Sequence, residues 1–152
     1  MAIINGTNGS DTLNGTPGDD FIFGQGGSDV IAGLGGADFI DGGAGADTAT
    51  YAASLAGVNV SLATGQGSGG DAEGDTLANI ENLTGSAFDD TLEGSSGNNV
   101  LAGGDGTDTV SYAHAAAGVT VSLARTTAQN TRRRRQRHAE RVREPDRLPF
   151  RQ

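Results

Sequence analysis

The chain has 152 residues, of which 26 are Gly, with no Cys, no Trp, five Phe and two Tyr. That length fits one domain, three Pro are too few for collagen, no run approaches the ~18 apolar residues of a membrane span, and a chain without Cys has neither disulfides nor thiolate metal sites. The net charge of −9 divides into unlike parts: residues 1–125 hold 16 acidic side chains against Arg125 alone, whereas residues 126–152 hold nine Arg against Glu140, Glu144 and Asp146.

The first 25 residues show no basic n-region and no apolar h-region, so no Sec-type leader is expected. Residues 6–50 then divide without a gap into five blocks of nine: GTNGSDTLN, GTPGDDFIF, GQGGSDVIA, GLGGADFID and GGAGADTAT. The first and fourth positions are always Gly, and the sixth is always Asp: Asp11, Asp20, Asp29, Asp38 and Asp47. The eighth is Leu13, Ile22, Ile31 or Ile40, ending in Ala49. Each block reads as a six-residue turn followed by a three-residue strand in which only the eighth position faces inward. Two blocks close one coil of 18 residues, and the coils stack into two parallel sheets around a thin apolar layer. So little apolar burial is not expected to offset chain entropy without help.

Residues 51–84 form a spacer. Val58, Val60 and Leu62 alternate with polar or small residues, which predicts a half-buried strand. Gly65 to Gly74 reads as a loop. Phe21, Phe23 and Phe39 fall at outward positions, and the spacer strand is expected to cover them. Three looser blocks follow at 85–111, with Asp90, Asn99 and Asp108 at the sixth position. A second, partial spacer is expected at 112–125, because residues 108–124 repeat residues 47–63 at a separation of 61.

Stacking places Asp11, Asp29 and Asp47 along one edge and Asp20 and Asp38 along the other, at about the ~4.8 Å strand spacing. Carboxylates that close repel unless they are protonated or bridged by a cation. An all-oxygen donor set without His or Cys suits a hard cation, and calcium tolerates irregular geometry better than magnesium. Asp19, Asp41, Asp71, Asp89, Asp105, Glu81 and Glu93 fall outside the sixth position and read as surface groups.

The blocks resemble the GGxGxDxUx repeats of the RTX (hemolysin-type) calcium-binding family, over roughly residues 5–124. The resemblance implies an all-β parallel β-roll that binds several calcium ions, folds on meeting external calcium, and is secreted through a type I system. Carried over position by position, it implies metal ligation by Asp11, Asp20, Asp29, Asp38, Asp47, Asp90 and Asp108. The turn glycines Gly9, Gly18, Gly27 and Gly36 lie beside them. Asn99 is a weaker, neutral ligand, and Asp75 only a candidate.

No catalytic role is expected for His114 or His138, and no HExxH or GxSxG occurs. The rival reading is an export and folding module, or an adhesin segment, of a larger secreted hydrolase or surface protein. Nucleic-acid binding is not expected, although the tail at 126–152 has the composition of a basic arm. A disordered tail, made by reading the next repeat in the wrong frame, accounts for it better. Arg can be encoded CGN, so a +1 reading of Arg132 to Arg135 gives Gly and Ala codons. Further on, the same frame can give Asp-Thr-Leu-Ser and Glu-Asn-Leu-Thr-Gly, the spacer motif that the duplication predicts there.

Overall fold

In a computed structural model the chain is described over residues 1–111, together with the strands Val119–Ser122 and Asn130–Arg132. Nearly all of its regular structure is short strand. β1 (Ile3–Asn5) precedes the repeats. The first five blocks give β2 (Thr12–Asn14), β3 (Phe21–Phe23), β4 (Val30–Ala32), β5 (Phe39–Asp41) and β6 (Thr48–Thr50). The spacer gives β7 (Asn59–Ser61), β8 (Gln66–Ser68), a 3-10 turn at Gly70–Ala72, β9 (Thr76–Ala78) and β10 (Asn82–Thr84). The later blocks give β11 (Thr91–Glu93), β12 (Asn99–Ala102) and β13 (Thr109–Ser111), followed by β14 (Val119–Ser122) and β15 (Asn130–Arg132).

The strands alternate between two sheets, as an 18-residue coil requires. One has nine strands in the order β1-β3-β5-β9-β8-β7-β11-β13-β15, and the other six in the order β14-β12-β10-β6-β4-β2. Ile4 pairs with Ile22 and Ile22 with Ile40 in the first; Leu13 pairs with Ile31 and Ile31 with Ala49 in the second. This is a parallel β-roll. Its core is a single layer in which the eighth-position residues of the two sheets face each other, Ile22, Ile40, Leu92 and Val110 against Ile31, Ala49 and Leu101, continued through the spacer by Val60, Leu77 and Leu83, all buried.

The spacer departs from the expected loop. Val58 and Val60 are buried as the alternation predicts, but Gln66–Ser68 forms β8, antiparallel to both β7 and β9. This hairpin is inserted edgewise into the nine-stranded sheet. It therefore does not lie over the phenylalanines, and the expectation that it covers them is corrected. Phe21 stays 40% exposed, with Phe39 tilted against both Phe21 and Phe23 at centroid distances of 6.2 and 6.0 Å. The reason is that Val58 and Val60 are absorbed into the core, which leaves the hairpin no apolar face to lay on the outside. Of the seven strand-to-strand steps from β6 to β13, the two from β7 to β9 stay within one sheet, so five crossings, an odd number, separate the duplicated segments. β6 consequently lies in the six-stranded sheet and its counterpart β13 in the nine-stranded one. In the range expected to be a disordered tail, Asn130–Arg132 pairs in parallel with β13. The rest of that range, and the frame-shift reading of it, lie outside the described residues, as does most of the expected second spacer.

Candidate metal centre

The sixth position immediately precedes the strand, two residues before the core residue, so its side chain points to the same inner side. Asp20, Asp29, Asp38, Asp47, Asp75, Asp90 and Asp108 are none of them more than 3% exposed. The carboxylates line the two ends of the core rather than an outer edge. Each Oδ1 accepts the backbone N–H of the sixth-position residue one coil earlier. On the side entering the six-stranded sheet, Asp11 N–H donates to Asp29 and Asp29 N–H to Asp47, both at 2.8 Å. On the side entering the nine-stranded sheet, Asp20 N–H donates to Asp38 and Asp38 N–H to Asp75, again at 2.8 Å. Beyond the hairpin, Val58 N–H donates to Asp90 and Asp90 N–H to Asp108, both at 2.9 Å.

Two ladder members come from the spacer. Asp75, only a candidate from the sequence, is a buried rung. Glu81, expected at the surface, is partly buried, and its Oε2 accepts Asp47 N–H at 2.8 Å. Its longer side chain reaches the place an aspartate would fill, and its neighbour Asn82 also donates its backbone N–H to Asp47 O. The phase of Glu81, two residues before the buried Leu83, was the available signal. Asp19 and Asp89 also brace the next coil, accepting the N–H of Ala37 and Thr107 at 2.8 Å, but on the exposed side of the turn.

The second carboxylate oxygen separates the turns into two kinds. Where the second turn residue is Thr or Ser, its backbone N–H donates to the sixth residue. Thr7 N–H reaches Asp11 Oδ2 at 2.6 Å, Thr16 N–H reaches Asp20 Oδ2 at 2.6 Å and Ser86 N–H reaches Asp90 Oδ2 at 2.8 Å. The hydroxyls of all three bond the same carboxylates at 2.6–3.0 Å. Each hydroxyl also accepts the N–H of the fourth turn residue: Gly9, Gly18 and Phe88. Ser95 and Asn99 repeat the arrangement with a neutral amide, whose Oδ1 accepts Ser95 N–H at 2.9 Å.

In the other four turns the second residue has positive φ: Gln25 75°, Leu34 72°, Gly43 84° and Gly104 79°. Asp29, Asp38, Asp47 and Asp108, the sixth residues of these same turns, each hold a buried Oδ2 with no hydrogen-bond partner. As in the first kind of turn, that oxygen lies beside the opening glycine: Gly24, Gly33, Gly42 and Gly103 leave no room for a Cβ next to it, and neither do Gly6, Gly15 and Gly85. The fourth-position glycines predicted as site residues stack in pairs across coils, with Gly27 (φ +96°) against Gly9 and Gly36 (φ +103°) against Gly18.

The electrostatics set Asp20 apart from Asp38, Asp47 and Asp108. Thr16 N–H and its hydroxyl, with Ala2 N–H, hold the Asp20 carboxyl below the usual carboxylate range, against its burial. Burial and the adjoining Asp75 charge push Asp38 up to about 7. Burial pushes Asp108 up to about 7, with Asp90 adding to it, and raises Asp47. Such carboxyls resist ionisation unless positive charge arrives.

The donor set fits a hard cation: orphaned buried carboxylate oxygens against glycine backbone. Among the described residues, no three His, Cys, Asp or Glu side chains converge on one point. A calcium ion held here would draw on one or two carboxylates, with backbone carbonyls and water as the remaining oxygens. A model of the RTX calcium-binding nonapeptide repeat, with 4 copies, matches residues 5–40, 14–49 and 74–111. No curated protein matches the chain.

Proposed function

The chain belongs to the RTX calcium-binding nonapeptide-repeat family, whose repeats bind calcium, and from that premise we propose that it is a secreted module that folds on calcium and catalyses no reaction. The observation that carries this reading is the set of unpartnered, buried Oδ2 atoms on Asp29, Asp38, Asp47 and Asp108. A buried charge without a partner is costly enough to oppose folding. Calcium, when bound, supplies the positive charge and the additional oxygen coordination that these carboxylates lack.

The chain's own residues supply the frame. Oδ1 of each aspartate ties one coil to the next through a backbone N–H, so a carboxylate fixed at Oδ2 also fixes the stacking of coils. Before folding, 16 acidic groups over 125 residues with few aromatics put the chain near the disordered class. Binding free energy then contributes directly to folding free energy. Extracellular calcium modules work at Kd of about 10⁻⁴–10⁻³ M, so the cytosol leaves such a chain open and the exterior closes it. Export through a type I system accords with the secreted character typical of the family.

Far-UV circular dichroism with and without millimolar calcium tests the reading. A β spectrum should appear with calcium and be lost on chelation. A β spectrum indifferent to chelation overturns it.

A further inference from the structure

We propose that the second residue of each turn decides whether that turn takes calcium. On this assignment the turns at 6–11, 15–20, 85–90 and 94–99 are closed by their own hydroxyl and need no metal. Those at 24–29, 33–38, 42–47 and 103–108 are open and require it. The inference rests on the calcium-binding reading above and assigns it to particular turns.

Three observations carry it. First, the division by sequence and the division by hydrogen bonding coincide. Thr7, Thr16, Ser86 and Ser95 each donate a backbone N–H to the sixth residue, and the four turns without Thr or Ser there hold the four orphaned oxygens. An Oδ2 that already accepts a short N–H bond has less left to offer a cation than one that accepts none.

Second, the chain carries its own neutral control. Asn99 occupies a closed turn, and its amide makes the closing bonds of a carboxylate without a charge. A closed turn therefore does not need an anion, and without an anion it has little hold on a cation.

Third, the open form depends on backbone that only some residues accept. Gln25 and Leu34 sit at φ 75° and 72° although neither is glycine, a conformation that persists where the surroundings impose it. That conformation turns the second-residue N–H away from Oδ2. A β-branched Thr tolerates it poorly and brings the hydroxyl that closes the turn, so residue type and turn state reinforce each other.

The order along the chain gives the division a use. Each block opens with two closed turns, 6–20 and 85–99, and the open turns follow. The two closed turns of each block make up one coil whose sixth residues are hydrogen-bonded without metal, and calcium then completes the coils laid on it.

The test uses the full chain with calcium alone as the probe. Bound ions per chain are counted by equilibrium dialysis with elemental analysis, and the folding midpoint is read by circular dichroism. Asp20→Asn and Asp90→Asn should keep the wild-type ion count and a midpoint within about twofold, whereas Asp38→Asn and Asp108→Asn should bind fewer ions and raise the midpoint by about tenfold. Leu34→Thr keeps every carboxylate, so it separates loss of a ligand from closure of a turn. It should bind fewer ions than wild type while still reaching the β spectrum at saturating calcium. Thr16→Gly, the reverse change, should bind more. Equal losses from Asp20→Asn and Asp38→Asn, or an unchanged ion count in both Leu34→Thr and Thr16→Gly, overturn the assignment while leaving calcium binding itself intact. A wild-type chain that binds no calcium removes both.

Discussion

Among the described residues Tyr51 is the largest side chain buried in the core, and its hydroxyl donates to Asp75 Oδ2 at 2.9 Å. Asp75 thus has the oxygen that Thr16 satisfies on Asp20, but a residue from another part of the chain satisfies it. Burial pushes the Asp75 carboxyl up to about 6, and the bonds from Asp38 N–H and the Tyr51 hydroxyl pull against that rise. Tyr51→Phe keeps the ring and strands the oxygen. It should cost about 1–3 kcal/mol, the penalty for a buried acceptor left unmade, read as a lower urea midpoint at saturating calcium. An unchanged midpoint means that Asp75 finds another donor. Asp29 and Asp19 make a second comparison at this scale. Both accept a backbone N–H from a neighbouring coil, but Asp29 is buried with Oδ2 unpartnered and Asp19 is exposed. Asp29→Ala should therefore raise the calcium midpoint of folding by about tenfold or more, and Asp19→Ala by no more than about threefold. Equal shifts in a calcium titration would count against the inward register of the sixth position.

The unit of the fold is the turn plus three-residue strand, and most of it was legible in the sequence. Gly at the first and fourth positions, Asp at the sixth and an aliphatic at the eighth gave the coil length, the parallel pairing and the single-layer core. The difference between turns was less visible, because the fourth-position glycines look equivalent in the repeat. They are not equivalent in space. Gly9 has ordinary φ, and an added Cβ would meet nothing nearer than the Thr7 hydroxyl at 3.8 Å. Gly27 lies at φ +96°, and its Cβ would strike the Gly9 carbonyl carbon at 2.5 Å. Gly9→Ala should stay within about 0.5 kcal/mol of wild type, while Gly27→Ala should cost more than about 2 kcal/mol, both measured by urea unfolding with calcium present. Similar losses from the two would show that the turns share one backbone conformation. The signal that separates them is the hydroxyl at the second position, which a search for the repeat's invariant residues passes over. The β7–β8 hairpin was hidden for another reason. Gly67 takes the inward place opposite Val60 in β8, and Ala72 packs where a larger side chain would otherwise stand. A strand whose core-facing residue is Gly carries no apolar alternation.

At the scale of the molecule, two sets of coils flank the hairpin and stack like charges at both ends of one narrow core. The consequence is clearest in the calcium-free chain. Burial pushes Asp38 and Asp108 up to about 7 and Asp75 up to about 6, with Asp47 raised as well. The charges facing them add to the rise: Asp75, Asp20 and Asp19 around Asp38, and Asp90 and Asp89 around Asp108. In the unfolded chain these groups titrate near ~3.9. A carboxyl whose folded value is raised binds its proton more tightly when folded. Its contribution is therefore fully present below the unfolded value and is lost as pH rises through the folded one. Asp20, held below the usual range by Thr16, works in the opposite sense and loses its contribution in acid. Four raised groups against one lowered group set the net direction. With calcium chelated, the chain should hold more β structure at about pH 5 than at about pH 7.5, with the loss falling between pH 5 and 7. With millimolar calcium the dependence should reverse, because protons then compete for the same oxygens and folding weakens in acid. Circular dichroism at the two pH values, each with chelator and with calcium, reads all four states. More β structure at pH 7.5 than at pH 5 in chelator would show that the carboxylates reach solvent or counter-ions in the metal-free fold, and that burial does not hold their protons.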